Sequence, residues 1–289
     1  MLGNILVNAL MNAGVYAMLA VGFSLMFGVA RIINLAHTAF YMVAGYCIFY
    51  LVSTAGLPLP LAILISIVAV VVLAVVVYRL LIDPMREHET TVLILTIALA
   101  LVLQEAMLLW FGGYFRSVPA ATAGYATILG VRVSFQYLLT LGVLAGALVA
   151  VWLVLMKTKL GLAIRATAQD REIAEVMGMD ESRTATLTVA IASALAGLAG
   201  AIVAPLYILE PRMWLNPLTI VLAIAVLGGL GSLKGSLLGA AIIALAESLV
   251  VFLVPQGAFL KGAFSLGIMI LVLLIRPEGL FGVAFEEER

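Results

Sequence analysis

Nine runs of mostly apolar residues, each close to the length of a membrane crossing, constrain this chain more than any other feature. They lie at about 5–27, 35–53, 60–82, 92–111, 135–156, 184–206, 217–233, 237–254 and 260–275. A helix crossing a hydrocarbon layer roughly 30 Å thick needs about 20 such residues. Helix stoppers or charges separate the runs, as in GLPLP at 56–60, DPMREHE at 83–89 and LEPRMWLNP at 209–217. The third, LAILISIVAVVVLAVVVYRLL, is long and β-branched, and is expected to face lipid over much of its circumference. With 65% hydrophobic and 10% charged residues, there is too little polar surface to cover a water-soluble particle. The expected fold is an all-α polytopic membrane protein. It forms a single transmembrane domain over 1–289, a bundle of about nine (eight to ten) transmembrane helices. The seventh and eighth runs are short and Gly-rich, so one of them is a candidate for a broken or re-entrant helix. No basic residue precedes the first run in MLGNILVNALMNAG, which reads as an uncleaved span and not as a secretory signal.

Lys and Arg bias sets the expected orientation. Nine spans place eleven Lys and Arg residues inside, among them Arg31, Arg86, Lys157, Arg171 and Arg289. Arg116, Arg132, Arg212 and Lys261 fall outside. The N-terminus is then external and the C-terminus cytoplasmic. Small residues four apart predict close helix packing. Ser193, Gly197 and Ala201 form one such row, Ala192, Ala196 and Gly200 another, with shorter pairs at Gly142/Gly146 and Gly235/Gly239.

The chemistry of an enzyme is missing from the pattern. Cys47 is the only cysteine, which excludes an internal disulfide and a cysteine-cluster metal site. His37 and His88 lie on different segments, and there is no HExxH and no nucleophile elbow. GGLGSLKGS at 228–236 superficially resembles a phosphate loop, but the order Lys-Gly-Ser is wrong for one. It reads as a tight turn between helices. The expectation is a non-enzyme that binds no ATP and no cofactor by itself. Its zero formal net charge gives no reason to expect a nucleic-acid partner.

Polar residues at membrane depth are costly and often functional. The candidates are Asn8 and Asn12 one turn apart, Asn34 and His37, Glu105 beside Gln104, and Glu247, with no cation evident in the helix of either glutamate. Two readings are open: interhelical hydrogen bonds, or a polar translocation path through the bundle. A proton-driven secondary transporter would usually carry more such groups.

One stretch breaks the apolar pattern. KTKLGLAIRATAQDREIAEVMGMDESR (157–183) holds ten of the chain's 30 charged residues. From Arg165 to Met177 there is no Pro or Gly, and Ala, Glu, Arg and Gln favour helix. Ile173, Val176 and Met177 make a small apolar stripe at helical spacing, and Gly178 can end the helix. The pattern predicts one short amphipathic helix with an apolar stripe suited to a partner's groove. The other possibility, a helix flat on the membrane surface, is opposed by five acidic residues in the segment.

Glu172-Ile173-Ala174 followed by Gly178 is similar to the short loop signature of ATP-binding-cassette importer permeases, although the Leu-Pro expected further on is absent. A narrower family fits better. GVYAMLAVGFSLMFGVARIINLAHTAFYMVAGY (14–46), GLAIRATAQDREIAEVMGMD, VLGGLGSLKGSLLGA and LIRPEGLFG (274–282) resemble segments of the branched-chain amino acid permeases, closest to the LivH type. Thr38 departs from the family's usual Gly. The resemblance implies a subunit that pairs with a second, LivM-type permease, two cytoplasmic ATPases that hydrolyse ATP, and an external substrate-binding protein, all at a bacterial inner membrane. It implies that 157–183 is the cytoplasmic coupling loop. Arg165, Glu172, Ala174, Val176 and Gly178 would contact the ATPase, Ala174 and Gly178 by permitting close approach. The solute would be an aliphatic amino acid crossing between the two permeases. An amide, urea or another small solute suits the same bundle. An ion-coupled secondary transporter and a non-transporting scaffold are the readings from other classes.

Overall fold

The computed structural model describes residues 2–128, 130–276 and 279–281. The predicted position of Arg289, the C-terminal side of the membrane, and Pro277, Glu278 and Gly282 of the LIRPEGLFG segment lie outside the described residues.

Among the described residues, eleven α-helices run in order: α1 (Leu2–Ala30), α2 (His37–Phe49), α3 (Leu59–Val77), α4 (Glu89–Phe111), α5 (Phe135–Lys157), α6 (Lys159–Gln169), α7 (Arg171–Val176), α8 (Glu181–Val203), α9 (Leu215–Gly228), α10 (Leu233–Leu253) and α11 (Gly257–Ile275). Seven of the described helices are long and apolar enough to cross a membrane: α1, α3, α4, α5, α8, α10 and α11. The expected second and seventh spans are the shorter pieces. α2 is continued by a π turn to Thr54, and α9 has 14 residues, roughly 21 Å at 1.5 Å per residue. It stops five residues before the expected end of the run because Gly229 and Gly231 adopt positive φ and turn the chain. The eighth run, by contrast, is a full-length helix.

α1 and α8 are the centre. α1 packs on α8, α9 and α10, and α8 packs on α1, α2 and α3. From Met11 onward α1 is largely enclosed by its neighbours, and a helix surrounded by others needs no solvent-facing polar stripe. The small-residue rows explain how closely α8 approaches its neighbours. Gly200 lies directly against the Tyr41 carbonyl of α2, and Gly197 against Val70 of α3. The row on α5 behaves differently from expectation: nothing lies within 4 Å of where a Cβ on Gly142 or Gly146 would sit. That face of α5 is not packed by this chain.

α3, α4, α5 and α11 are peripheral, with Leu64, Val72, Val102, Leu109, Trp152 and Leu274 among their exposed side chains. Such surface would aggregate in water, but hydrocarbon solvates it. One feature departs from an all-helical bundle. β1 (Tyr125–Ile128) and β2 (Val131–Ser134) form an antiparallel hairpin before α5.

Helix ends are satisfied locally. Ser232 caps α10 by accepting from Gly235 N, and the turn before it carries Gly229 and Gly231 at positive φ. GGLGSLKGS is thus a tight interhelical turn, in which Gly228 and Gly235 sit too close for any side chain. The far carbonyls of α9 are also used: Leu280 N donates to Leu227 O and Phe281 N to Gly228 O. Without such partners, terminal carbonyls inside a bundle would be costly.

Candidate functional site

The charged stretch builds a compact unit at one end of the bundle, but not the single helix expected over 165–177. α6 and α7 are separate, broken at Asp170, whose backbone is extended (φ −152°, ψ 115°). The cause is the Asp170 side chain. Its Oδ1 accepts from Ile173 N at 3.0 Å and so starts a new helix. α7 ends in a Schellman turn: Met179 N donates to Ala174 O at 3.0 Å, Gly178 N to Glu175 O at 2.9 Å, and Gly178 has φ +84°.

The apolar stripe is real and unpartnered within the chain. Ile173, Val176 and Met177 are 62%, 87% and 75% exposed. Glu172 and Gly178 are exposed on the same short element, and Arg165 is exposed on α6. Ala174 is 4% exposed and packs inward, on the face of α7 opposite the stripe. Arg165 Nε donates only to Gly161 O of its own helix, at 3.3 Å.

Beside α7 lies a polar groove of about 410 Å³, lined by Arg31, Arg86, Glu89, Arg171, Glu172 and others. Its base holds an ion-pair node that the sequence reading missed. Glu181, the first residue of α8, is 7% exposed. Its Oε1 and Oε2 accept from Nη1 and Nη2 of Arg86, at 2.8 and 3.4 Å. Arg171 of α7 reaches Oε1 of the same carboxylate. Arg86 also meets Asp83 Oδ1 at 3.5 Å, and Tyr78 OH donates to that oxygen at 3.2 Å.

The six membrane-depth candidates separate into three places. Asn8, Asn12 and Glu247 lie toward the opposite end, in two hydrogen-bonded sets brought side by side by the neighbours Glu247 and Ser248. Asn12 Nδ2 and Ser248 Oγ both donate to Asn8 Oδ1 at 3.0 Å, and Tyr207 OH reaches Asn12 Oδ1 at 3.5 Å. Glu247, 0% exposed, accepts from Tyr16 OH at 2.7 Å and Ser265 Oγ at 2.6 Å, with Lys261 Nζ 3.1 Å away. The cation absent from its own helix stands on α11. Lys261 also sits 5.5 Å from the centre of the Tyr16 ring.

Asn34 and His37 lie elsewhere in the core. Asn34 Oδ1 accepts from Ala36 N at 3.0 Å and so shapes the entry to α2. His37 Nε2 lies 3.1 Å from Leu19 O, which accepts from it when that nitrogen carries the proton. Thr38, at the family's usual Gly, is fully buried in the first turn of α2. Glu105 is isolated from both groups. It is exposed on the outward face of α4 and accepts from Gln104 Nε2 at 3.2 Å, while Gln104 Oε1 accepts from Trp214 Nε1 at 2.9 Å. Among the described residues, no side-chain hydrogen bond links these three places. A separate cavity of about 520 Å³ between α2, α3 and α4 is almost wholly apolar, lined by Val43, Tyr46, Ile65, Ser66, Met107 and Trp110 among others.

The family assignment follows from comparison with known proteins. The profile described as branched-chain amino acid transport system / permease component matches residues 5–273. The chain belongs to that family. BraD of Pseudomonas aeruginosa, a high-affinity branched-chain amino acid transport system permease protein, is 28% identical over 96% of this chain and 94% of its own length. LivH of Salmonella typhimurium is 27% identical over 95% and 94%. A probable LivH of Methanocaldococcus jannaschii is 27% identical over 98% and 93%. The permease also shares its fold with a chain of PsaBC from Streptococcus pneumoniae, solved in complex with Fab, at a TM-score of 0.53 and 16% identity over 95% of this chain and 92% of that one. This permease is therefore a LivH-type, multi-pass membrane subunit.

Proposed function

We propose that this permease is one of two transmembrane subunits of an ATP-driven importer of branched-chain amino acids. Separate ATPases grip α7 from the cytoplasm, and an external binding protein delivers solute. The observation that carries this reading is α7: a capped, six-residue helix presenting Ile173, Val176 and Met177 to solvent on a chain otherwise built for lipid. An exposed apolar knob beside a charged groove fits insertion into a partner's surface, which can then hand on a rigid-body movement.

The polar groups inside the bundle support a route outside it. Asn8 and Asn12 bond to each other and to Ser248, and Glu247 is held by Tyr16, Ser265 and Lys261, so these groups hold helices together. Glu105 faces outward, where a second permease subunit would stand. Solute then crosses between the two subunits, along a surface this chain only half supplies. The two carboxylates an ion-coupled transporter would use do not share a path, and Glu247 is already paired with Lys261.

Purification from native membrane tests the proposal. The expected co-purifying chains are a second permease and an ATPase pair, and the reconstituted assembly should take up leucine with ATP and binding protein. Uptake by this chain alone under an ion gradient would overturn it. Preference for urea or acetamide over leucine would keep the mechanism and change the solute.

A further inference from the structure

A six-residue helix is far too short to be stable alone. α7 keeps its place through Ala174, through its two caps, and through one ionic contact, that of Arg171 with Glu181. The same carboxylate is bonded through both oxygens to Arg86, in the connection between α3 and α4. Glu181 is also the first residue of α8, the helix that packs on α1, α2 and α3. One nearly buried carboxylate thus joins three elements: the exposed helix, the central helix and the α3–α4 turn. Arg79 Nε adds a contact to Thr186 Oγ1 at 3.5 Å, one turn into α8.

We infer that Glu181 is a positioning residue that locks α7 to α8 and to the α3–α4 turn, so that displacement of α7 by an ATPase moves the bundle. Two-pronged pairing with a planar guanidinium resists rotation as well as separation. Removing the carboxylate leaves Arg86 and Arg171 with no shared anchor. α7 can then shift on its own while α8 stays where it is. This inference rests on the coupling role proposed for α7.

The test compares Glu181→Gln, Glu181→Asp and Arg171→Gln in the full assembly reconstituted into vesicles, reading leucine taken up per ATP hydrolysed. A second readout is the distance between spin labels at Met85 and Glu175, both exposed and outside the apolar stripe, in the membrane-embedded complex. Glu181→Gln and Arg171→Gln are expected to keep ATPase binding and basal hydrolysis within about twofold while uptake per ATP falls by about tenfold or more, with a broadened label distance. Glu181→Asp should recover most of the coupling. Arg171→Gln leaves α8 and Arg86 intact, so it reports on the lock even where Glu181→Gln fails to accumulate. Wild-type uptake per ATP in Arg171→Gln, or a fall matched by loss of folded protein in every variant, overturns the inference. Absence of any ATPase from the wild-type assembly instead overturns the coupling role beneath it, and the label distances then still show whether α7 is locked.

Discussion

Glu247 and Glu181 are both buried carboxylates paired with cations, and each joins three elements, yet they do opposite work. Glu247 lies wholly inside, with Tyr16 on α1, Ser265 and Lys261 on α11, and Ser248 beside it bonded to Asn8. Its own helix, α10, already packs against both α1 and α11. Glu181 joins a central helix to a surface helix that has little else to hold it. A buried polar group among packed helices supports stability; the same chemistry between a core element and an exposed one transmits movement. The contrast gives a graded set of predictions.

The largest effect on stability is expected at the internal pair. Lys261→Met strands Glu247 in the bundle, and breaking a buried pair from one side typically costs about 3–5 kcal/mol. Reversible unfolding in mixed micelles should show a loss of that order, and a smaller one for the double variant Lys261→Met/Glu247→Leu. Equal losses in both would mean that the ion pair is not what is being broken. Next comes Val176→Asp, which should leave the fold unchanged, because Val176 touches so little of its own chain, but weaken ATPase binding at least tenfold in a pull-down from membranes. Asp170→Ala removes the cap of α7 and should cost about 1 kcal/mol. Hydrogen exchange would show it as faster exchange confined to 171–177, whereas spread into α8 would contradict the local role. The smallest effect is expected at Gly142→Ala. Among the described residues, nothing beyond its own helix backbone lies within 4 Å of the new Cβ, so the isolated subunit should unfold as wild type does.

Much of this architecture was readable in the amino-acid sequence because the membrane imposes it. Runs of about 20 apolar residues have few alternatives to helix when no water can satisfy the backbone. The stripe of α7 was readable too, since Ile173, Val176 and Met177 recur at helical spacing and Gly178 stops the helix. What escaped were contacts between residues distant in sequence. Nothing in DPMREHE points to Glu181, 95 positions after Arg86. A search for cations within the helix of Glu247 passes over Lys261, which lies beyond the turn between α10 and α11. The break at Asp170 escaped because aspartate is tolerated inside a helix and favoured at its start, and only the bond to Ile173 N decides between them. The hairpin before α5 did carry a signal, alternating Val131-Arg132-Val133-Ser134 after a glycine. Four alternating residues beside a run of about 20 apolar ones are a weak signal.

The central claim is that ATP-driven movement enters this lipid-facing bundle through α7. Its most direct measurement is ATP-dependent leucine uptake by vesicles containing the full assembly with Val176→Asp in this subunit. A protein present at wild-type level, folded, and at least tenfold slower in uptake is the predicted result. Wild-type uptake by that same folded variant would contradict the claim.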